Sequence, residues 1–145
     1  MGLVGSLRRR LGAATATWRA RRIIAASGLF DPAWYGQQAG LPARRATLDH
    51  YLTVGEPQGW SPHPLFDVSW YRRKVKGAAR SQLGAFAHYL RRGASRGDPP
   101  HELFDPEWYL AQAPDALAHP AGLLGHYLEV GGPAGLAPNP WLSTQ

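Results

Sequence analysis

Hydrophobic and polar positions follow the same pattern three times along the chain. Two motifs alternate, Leu-Phe-Asp-x-x-Trp-Tyr at 29–35, 65–71 and 103–109, and His-Tyr-Leu-x-x-Gly at 50–55, 88–93 and 126–131. The histidines of the second motif recur every 38 residues. A period of this length is typical of a repeat protein in which each copy is one supersecondary unit.

Each copy predicts two helices joined by a turn. An aspartate before the first helix can accept backbone N–H bonds, and a proline after it suits the first helical position. Three equivalent aspartates cannot share one active site, so we interpret Asp31, Asp67 and Asp105 as helix caps. Apolar residues spaced by three and four predict the second helices, over 47–54, 82–92 and 122–130. Glycines then stand where left-handed C-caps are expected, at Gly55, Gly93 and Gly131.

The predicted fold is therefore all-α. It consists of three stacked helix–turn–helix units of about 38 residues, over 28–64, 65–102 and 103–139, with a C-terminal cap at 140–145 in which Trp141 and Leu142 pack over the third unit. Stacking is expected to bury the tryptophans Trp34, Trp70 and Trp108. Each of the histidines His50, His88 and His126 is expected to hydrogen-bond a neighbouring turn. Helices stack about 8–10 Å apart, too far for equivalent histidines to share a zinc ion.

A basic amphipathic helix is predicted before the first copy, over 1–27. Leu3, Leu7, Leu11, Ala14 and Trp18 fall on one helical stripe, and the segment has six arginines and no acid. One interpretation is contact with an anionic membrane or an acidic partner. The residues that would make this contact are Arg8, Arg9, Arg10, Trp18, Arg19 and Arg22. The other interpretation is a helix that docks on the first unit and solvates its outer face.

The distribution of charge and the lack of catalytic motifs argue against several classes of function. Beyond residue 27 the chain has ten basic and ten acidic side chains, so its positive charge does not indicate a nucleic-acid-binding surface. The sequence has no cysteine, no nucleophile elbow, no metalloprotease motif and no phosphate-binding glycine loop. No apolar run approaches the roughly 20 residues of a membrane span. We expect no catalysis, no metal and no cofactor.

Partner contacts are expected where the copies differ. Trp60 occupies a turn position that holds Asp98 and Leu136 in the other copies, which makes it the best candidate for an exposed aromatic contact. A basic cluster in the middle copy is a second candidate for contact with a protein partner or a glycan. It consists of Arg72, Arg73, Lys74 and Lys76.

Together these motifs, over Gly28 to Leu142, resemble a bacterial repeat module found beside glycosyltransferase and rhamnan-synthesis domains. The resemblance implies a non-catalytic scaffold for cell-surface polysaccharide assembly, with a protein partner such as a glycosyltransferase. Together with the basic N-terminal helix, it predicts a cytoplasmic location, peripheral at the inner membrane. The family's usual Gly-Arg in the turn is Gly59-Trp60 here, so no role for that arginine transfers. The alternative is a carbohydrate-binding module that uses exposed aromatic side chains.

Overall fold

Helices make up most of the chain, as the sequence predicts. A computed structural model describes residues 2–142, and the side chains of 2–11, 13 and 14 lie outside what it describes. The α-helices are α1 (Gly2–Ser27), α2 (Pro32–Ala39), α3 (Leu48–His50), α4 (Val68–Lys74), α5 (Ala85–His88), α6 (Ala94–Arg96), α7 (Pro106–Gln112) and α8 (Gly122–His126). Short 3₁₀ turns lie at Glu56–Gln58, Ala78–Arg80, Ala116–Ala118 and Pro140–Leu142. The all-α fold class is confirmed.

The three motif aspartates are helix N-caps, as predicted. Each has an extended backbone, and its side chain accepts the backbone N–H of the tryptophan three residues later, at 3.0–3.1 Å. The aspartate N–H also donates to a proline carbonyl in the following linker, at 3.0 Å. The three pairs are Asp31 with Pro62, Asp67 with Pro100, and Asp105 with Pro138. One residue thus starts the first helix and fixes the distant linker against it.

The predicted C-caps at Gly55, Gly93 and Gly131 are wrong. Each glycine ends a π-helical turn, at Tyr51–Gly55, Tyr89–Gly93 and Tyr127–Gly131, and the N–H of the next residue bonds the carbonyl of the tyrosine five positions back. The left-handed glycines lie four positions later, at Gly59, Gly97 and Gly135. The three glycines of the π turns are required for another reason. A Cβ at each would overlap the hydroxyl of a tyrosine in the first helix, which is Tyr35, Tyr71 or Tyr109.

Each motif histidine bonds that same tyrosine and not a turn, which corrects the prediction. The tyrosine hydroxyl lies 2.7–2.8 Å from the histidine Nδ1 in all three copies. The pairs are Tyr35 with His50, Tyr71 with His88, and Tyr109 with His126. Each hydroxyl therefore sits between an imidazole and a glycine of the second helix, which fixes how the two helices of a copy pack.

Tyrosine and phenylalanine rings form the core, whereas the predicted core tryptophans are only half-buried. Tyr35, Tyr71 and Tyr109 are fully buried, and Trp34, Trp70 and Trp108 beside them are not. In the middle copy, Phe66 contacts both Tyr71 and Phe86, with ring centroids 5.1 and 4.8 Å apart. Because successive residues of a helix point in different directions, the tyrosine faces inward and the tryptophan covers the flank.

The last half of α1 docks on the first and second copies. Ala16, Ala20 and Ile24 are buried against α3, α5 and the π turns that follow them. Trp18 lies on the opposite side of α1 and is 55% exposed. The face of α1 that docks in its last half is therefore not the apolar stripe predicted to end at Trp18. The alternative in which this helix docks on the repeats is observed, but α1 contacts two copies instead of one.

The C-terminal cap predicted at 140–145 differs from the structure in its described part, and residues 143–145 lie outside the described residues. Trp141 is 86% exposed and Leu142 is 50% exposed, so neither packs over the third copy as predicted. The residue that closes this end is Asn139, which is buried and donates from Nδ2 to the carbonyl of Leu103 at 2.5 Å. Its Oδ1 accepts the N–H of Leu142 at 2.9 Å.

Candidate functional site

The basic residues predicted at the N-terminus separate in space. Arg22 stacks on the exposed Trp18, with its guanidinium carbon 4.9 Å from the ring centroid. Arg21 pairs with Asp49 at 3.1 Å. Arg19 points to a cleft on the second copy. The outward face of the described part of α1 therefore carries Trp18 and Arg22. The side chains of Arg8, Arg9 and Arg10 lie outside the described residues.

The predicted cluster at 72–76 does not form one patch. Arg72 turns back to the first copy, where it donates to the backbone carbonyl of Glu56 at 3.1 Å. Arg73 is exposed on α4. Lys74 and Lys76 lie on a shallow depression of about 290 Å³ that Arg96 and Asp98 also line. Of the four residues of the predicted cluster, Lys76 also lines the larger cleft described next.

A basic cleft lies between three parts of the chain. They are α1, the connection from α4 to α5, and the π turn and α6 that follow α5. Its volume is about 430 Å³. The cationic side chains that line it are Arg19, Lys76, Arg80, Arg91, Arg92 and Arg96. Among the described residues no acidic side chain lines it, whereas Ser81, Leu83 and His88 do. We call this site the basic cleft.

Most of these charges have no acidic partner in the part of the chain that the structure describes. Among the described residues the only ion pair at the basic cleft joins Arg96 to Asp98, where Nε and Nη2 both donate to Oδ2 at 3.2 and 2.8 Å. The other five cations form no ion pair with a described residue. A concave surface lined by one sign of charge concentrates its electric field and attracts counter-ions. The arrangement suits an anion.

A buried histidine forms the floor of the basic cleft. His88 is 6% exposed and its Nδ1 is hydrogen-bonded to the Tyr71 hydroxyl at 2.8 Å. Burial lowers the pKa of His88, and the positive charges of Arg96 and Arg92 lower it further, while Asp98 opposes them. His88 is therefore neutral at neutral pH. An anion in the basic cleft would favour its protonated form.

Sequence reasoning missed four residues of this site. Arg80, Arg91, Arg92 and Arg96 belong to it and were not among the candidate contacts. The signal for them is the charge of the middle copy, which has eight basic residues against three acidic ones over 65–102. They lie apart in the sequence, and only the packing of α1 and the second helix brings them together.

Glu56 is a second residue that the sequence did not single out. Its carboxylate is 4% exposed, and Oε1 accepts the N–H of Ala85 at 2.5 Å and lies 3.6 Å from Arg72 Nη2. Oε2 and the neighbouring Tyr51 hydroxyl make no hydrogen bond of normal geometry with described residues. Burial raises the pKa of Glu56. The other copies have Ala94 and Gly132 at this position, so this buried carboxylate joins the first copy to the second only.

Trp60 is less exposed than the sequence predicts. Its side chain is half-buried and packs against Tyr35, with ring centroids 6.4 Å apart. The exposed tryptophans among the described residues are Trp18 and Trp141.

Acid–base and metal chemistry depend on how the histidines and carboxylates of the described residues are arranged. His119 makes the one pairing of a histidine with a carboxylate there, and both its nitrogens are engaged. Nδ1 accepts the N–H of Ala121 at 3.0 Å, so Nε2 carries the proton that it donates to Glu129 at 2.8 Å. That imidazole has no free lone pair with which to act as a base. No three histidine, aspartate or glutamate side chains come together within the described part as a metal site requires.

Comparison with known proteins places no constraint on the function. No family model, curated protein or solved structure matches the chain. None of the helices between residues 2 and 142 combines the length and apolar character needed to cross a bilayer.

Proposed function

We propose that the chain is a non-catalytic scaffold built as an array of three helix–turn–helix units, over 28–64, 65–102 and 103–139. Support comes from contacts that recur at equivalent positions: the aspartate cap, the bond from each aspartate to a linker proline, and the tyrosine–histidine pair. Repeats that share such contacts stack and present an extended surface to partners.

The scaffold docks on an anionic partner through the face of α1 that points away from the units. The observation that carries this proposal is the division of α1 into two faces. Ala16, Ala20 and Ile24 hold one face against the units, while Trp18 and Arg22 stay outside. Tryptophan and arginine together suit a membrane interface, where the indole lies among headgroups and the guanidinium contacts phosphate. The chain then acts at the inner membrane surface, with the enzymes of cell-surface polysaccharide assembly as its protein partners.

Vesicle co-sedimentation tests the docking step. The full chain should sediment with phosphatidylglycerol vesicles and not with phosphatidylcholine vesicles. The variant Trp18→Ala/Arg22→Glu removes the outward contacts but keeps the docked face, so sedimentation should fall at least about tenfold. Arg44→Glu is a matched control, because it reverses an exposed charge in the first copy that does not belong to α1. Equal sedimentation of the two variants would contradict the proposal.

Recovery of the enzymes tests the scaffold step. The full chain, used as bait in extracts of a polysaccharide-producing bacterium, should retain a glycosyltransferase that can be identified by mass spectrometry. Removal of residues 1–12 spares the docked alanines and should leave this capture intact, since the units provide the protein contacts. A bait that retains no glycosyltransferase in either form would exclude the link to polysaccharide assembly.

A further inference from the structure

The basic cleft holds more positive charge than the fold requires. Five of its six cations lack an acidic partner among the described residues, although exposed acids such as Glu102 occur elsewhere in the same copy. Like charges that line one concavity repel each other, and the repulsion is strongest where water is partly excluded. A bound anion would remove this cost.

The shape of the basic cleft favours a compact anion. Its volume of about 430 Å³ lies within the range of about 300–1,000 Å³ found for small-molecule sites. The six cations come from four separate segments around one concavity: Arg19 from α1, Lys76 and Arg80 from the connection, Arg91 and Arg92 from the π turn, and Arg96 from α6. Such an arrangement surrounds a small ligand, whereas a flat surface or a long polymer would call for a row of charges.

The side-chain types favour phosphate. Five of the six cations are arginines, whose planar guanidinium groups bind phosphate oxygens through paired hydrogen bonds. A carboxylated sugar brings one negative charge per residue, but a diphosphate brings several on adjacent atoms. Six cations around one concavity match the denser charge.

We propose that the basic cleft is a binding site for a diphosphate group, carried by a soluble ester or by a lipid. The proposal rests on the proposed function only in taking the partner of the chain to be anionic. Arg19 joins the site to α1, so a ligand there also bridges α1 to the second copy. The buried His88 at the floor lies next to the bound anion.

Calorimetric titration of the full chain with inorganic diphosphate tests the proposal. We expect one binding site, weakened at least about tenfold in Arg91→Ala/Arg92→Ala, because two charge-assisted hydrogen bonds are lost. Both arginines are exposed, so the variant should fold, and circular dichroism checks this. Lys76→Gln/Arg80→Gln, in the connection from α4 to α5, should weaken binding similarly and gives an independent measurement. The matched control is Arg44→Ala/Arg45→Ala, an exposed arginine pair outside the basic cleft, which should change the affinity less than about twofold.

Two competition arms identify the ligand class and its source. Inorganic diphosphate should displace the chain from vesicles that carry a lipid diphosphate, which would show that free and lipid-borne groups use one site. An oligosaccharide of uronic acid should bind at least about tenfold more weakly than diphosphate, and equal or tighter binding would overturn the phosphate assignment. No binding of either diphosphate, or equal losses in the cleft variants and the control, would overturn the site. Sedimentation through Trp18 and Arg22 would then still stand, so the two proposals fail separately.

Discussion

At the scale of single residues, three tyrosine hydroxyls fix the geometry of the copies. Each lies between a histidine of the second helix and a glycine one turn further on. The sequence predicts the aspartate caps correctly because capping is local, within three residues. It misassigns the glycines because the reason for their small size is a side chain from another helix. In the sequence, a glycine after an apolar run indicates a C-cap whether its small size is needed for a left-handed backbone or for a neighbouring side chain.

We expect Gly131→Ala to destabilise the chain by about 1–3 kcal/mol, because its Cβ would overlap the Tyr109 hydroxyl. Removal of that hydroxyl should relieve the overlap, since the remaining contacts of the added Cβ are 3.2 and 3.4 Å. Tyr109→Phe/Gly131→Ala should therefore lose less stability than the two single changes added together. Urea unfolding of the four proteins measures this coupling.

Gly12→Ala is the matched control for that measurement. No described neighbour lies within 4 Å of a Cβ at Gly12, which is inside α1, so alanine there should stabilise the chain by up to about 1 kcal/mol. Strictly additive effects of Gly131→Ala and Tyr109→Phe would contradict the overlap as the cause.

At the scale of elements, the sequence predicts the helices better than their hydrogen bonds. Apolar spacing predicts helix over 47–54, 82–92 and 122–130, where α3, α5 and α8 lie with their π turns, but it does not distinguish α from π turns. The π turns at Tyr51–Gly55, Tyr89–Gly93 and Tyr127–Gly131 put the glycine under the tyrosine hydroxyl of the first helix. This requirement comes from the packing of two helices, so it is absent from the periodicity of either one.

The docked face of α1 was missed for a similar reason. Hydropathy favours large residues such as Leu11 and Trp18, whereas α1 docks through alanines and one isoleucine. Small side chains let two helices approach closely. Most of the surface that this approach buries belongs to the backbone and to neighbouring side chains, and little of it to the alanine methyl groups. The hydrophobic pattern of α1 alone does not contain this information.

We expect Ile24→Ala to cost about 2–5 kcal/mol of unfolding free energy, because Ile24 is fully buried between α1 and the copies. Trp18→Ala should cost less than about 1 kcal/mol, since it loses mainly the contact with Arg22. Thermal and urea unfolding compare the two variants under the same conditions. A larger loss for Trp18→Ala would mean that the stripe predicted from the sequence is the packed one after all.

At the scale of the whole molecule, charge is distributed by folding and not by sequence segment. The run at 72–76 divides among three environments, while residues as distant as Arg19 and Arg96 line one cleft. Net charge per copy predicts which copy is basic. Net charge does not predict where on the middle copy the basic side chains come together. Their arrangement depends on how α1 docks against the second helix of that copy.

The pH dependence of stability should combine two opposing contributions. Burial lowers the pKa values of His63 and His88 below 6.5, so the unfolded chain binds their protons first and stability falls as pH drops through this range. Burial raises the pKa of Glu56 above 4.5, so the folded chain binds that proton first. Its contribution is present below pH 4.5 and is lost as pH rises through the folded pKa.

The variant Glu56→Gln isolates the second contribution, because the histidines are common to both proteins. Its amide can still accept the N–H of Ala85, but the buried charge is gone. We expect the variant to gain stability relative to the wild type as pH rises from 4.5 to 7, measured by urea unfolding at each pH. Glu102→Gln changes an exposed carboxyl and should show no such trend. A stability difference for Glu56→Gln that falls as pH rises would mean that the contact with Arg72 outweighs the cost of burying the carboxylate, and that Glu56 is held charged at the junction of the first and second copies.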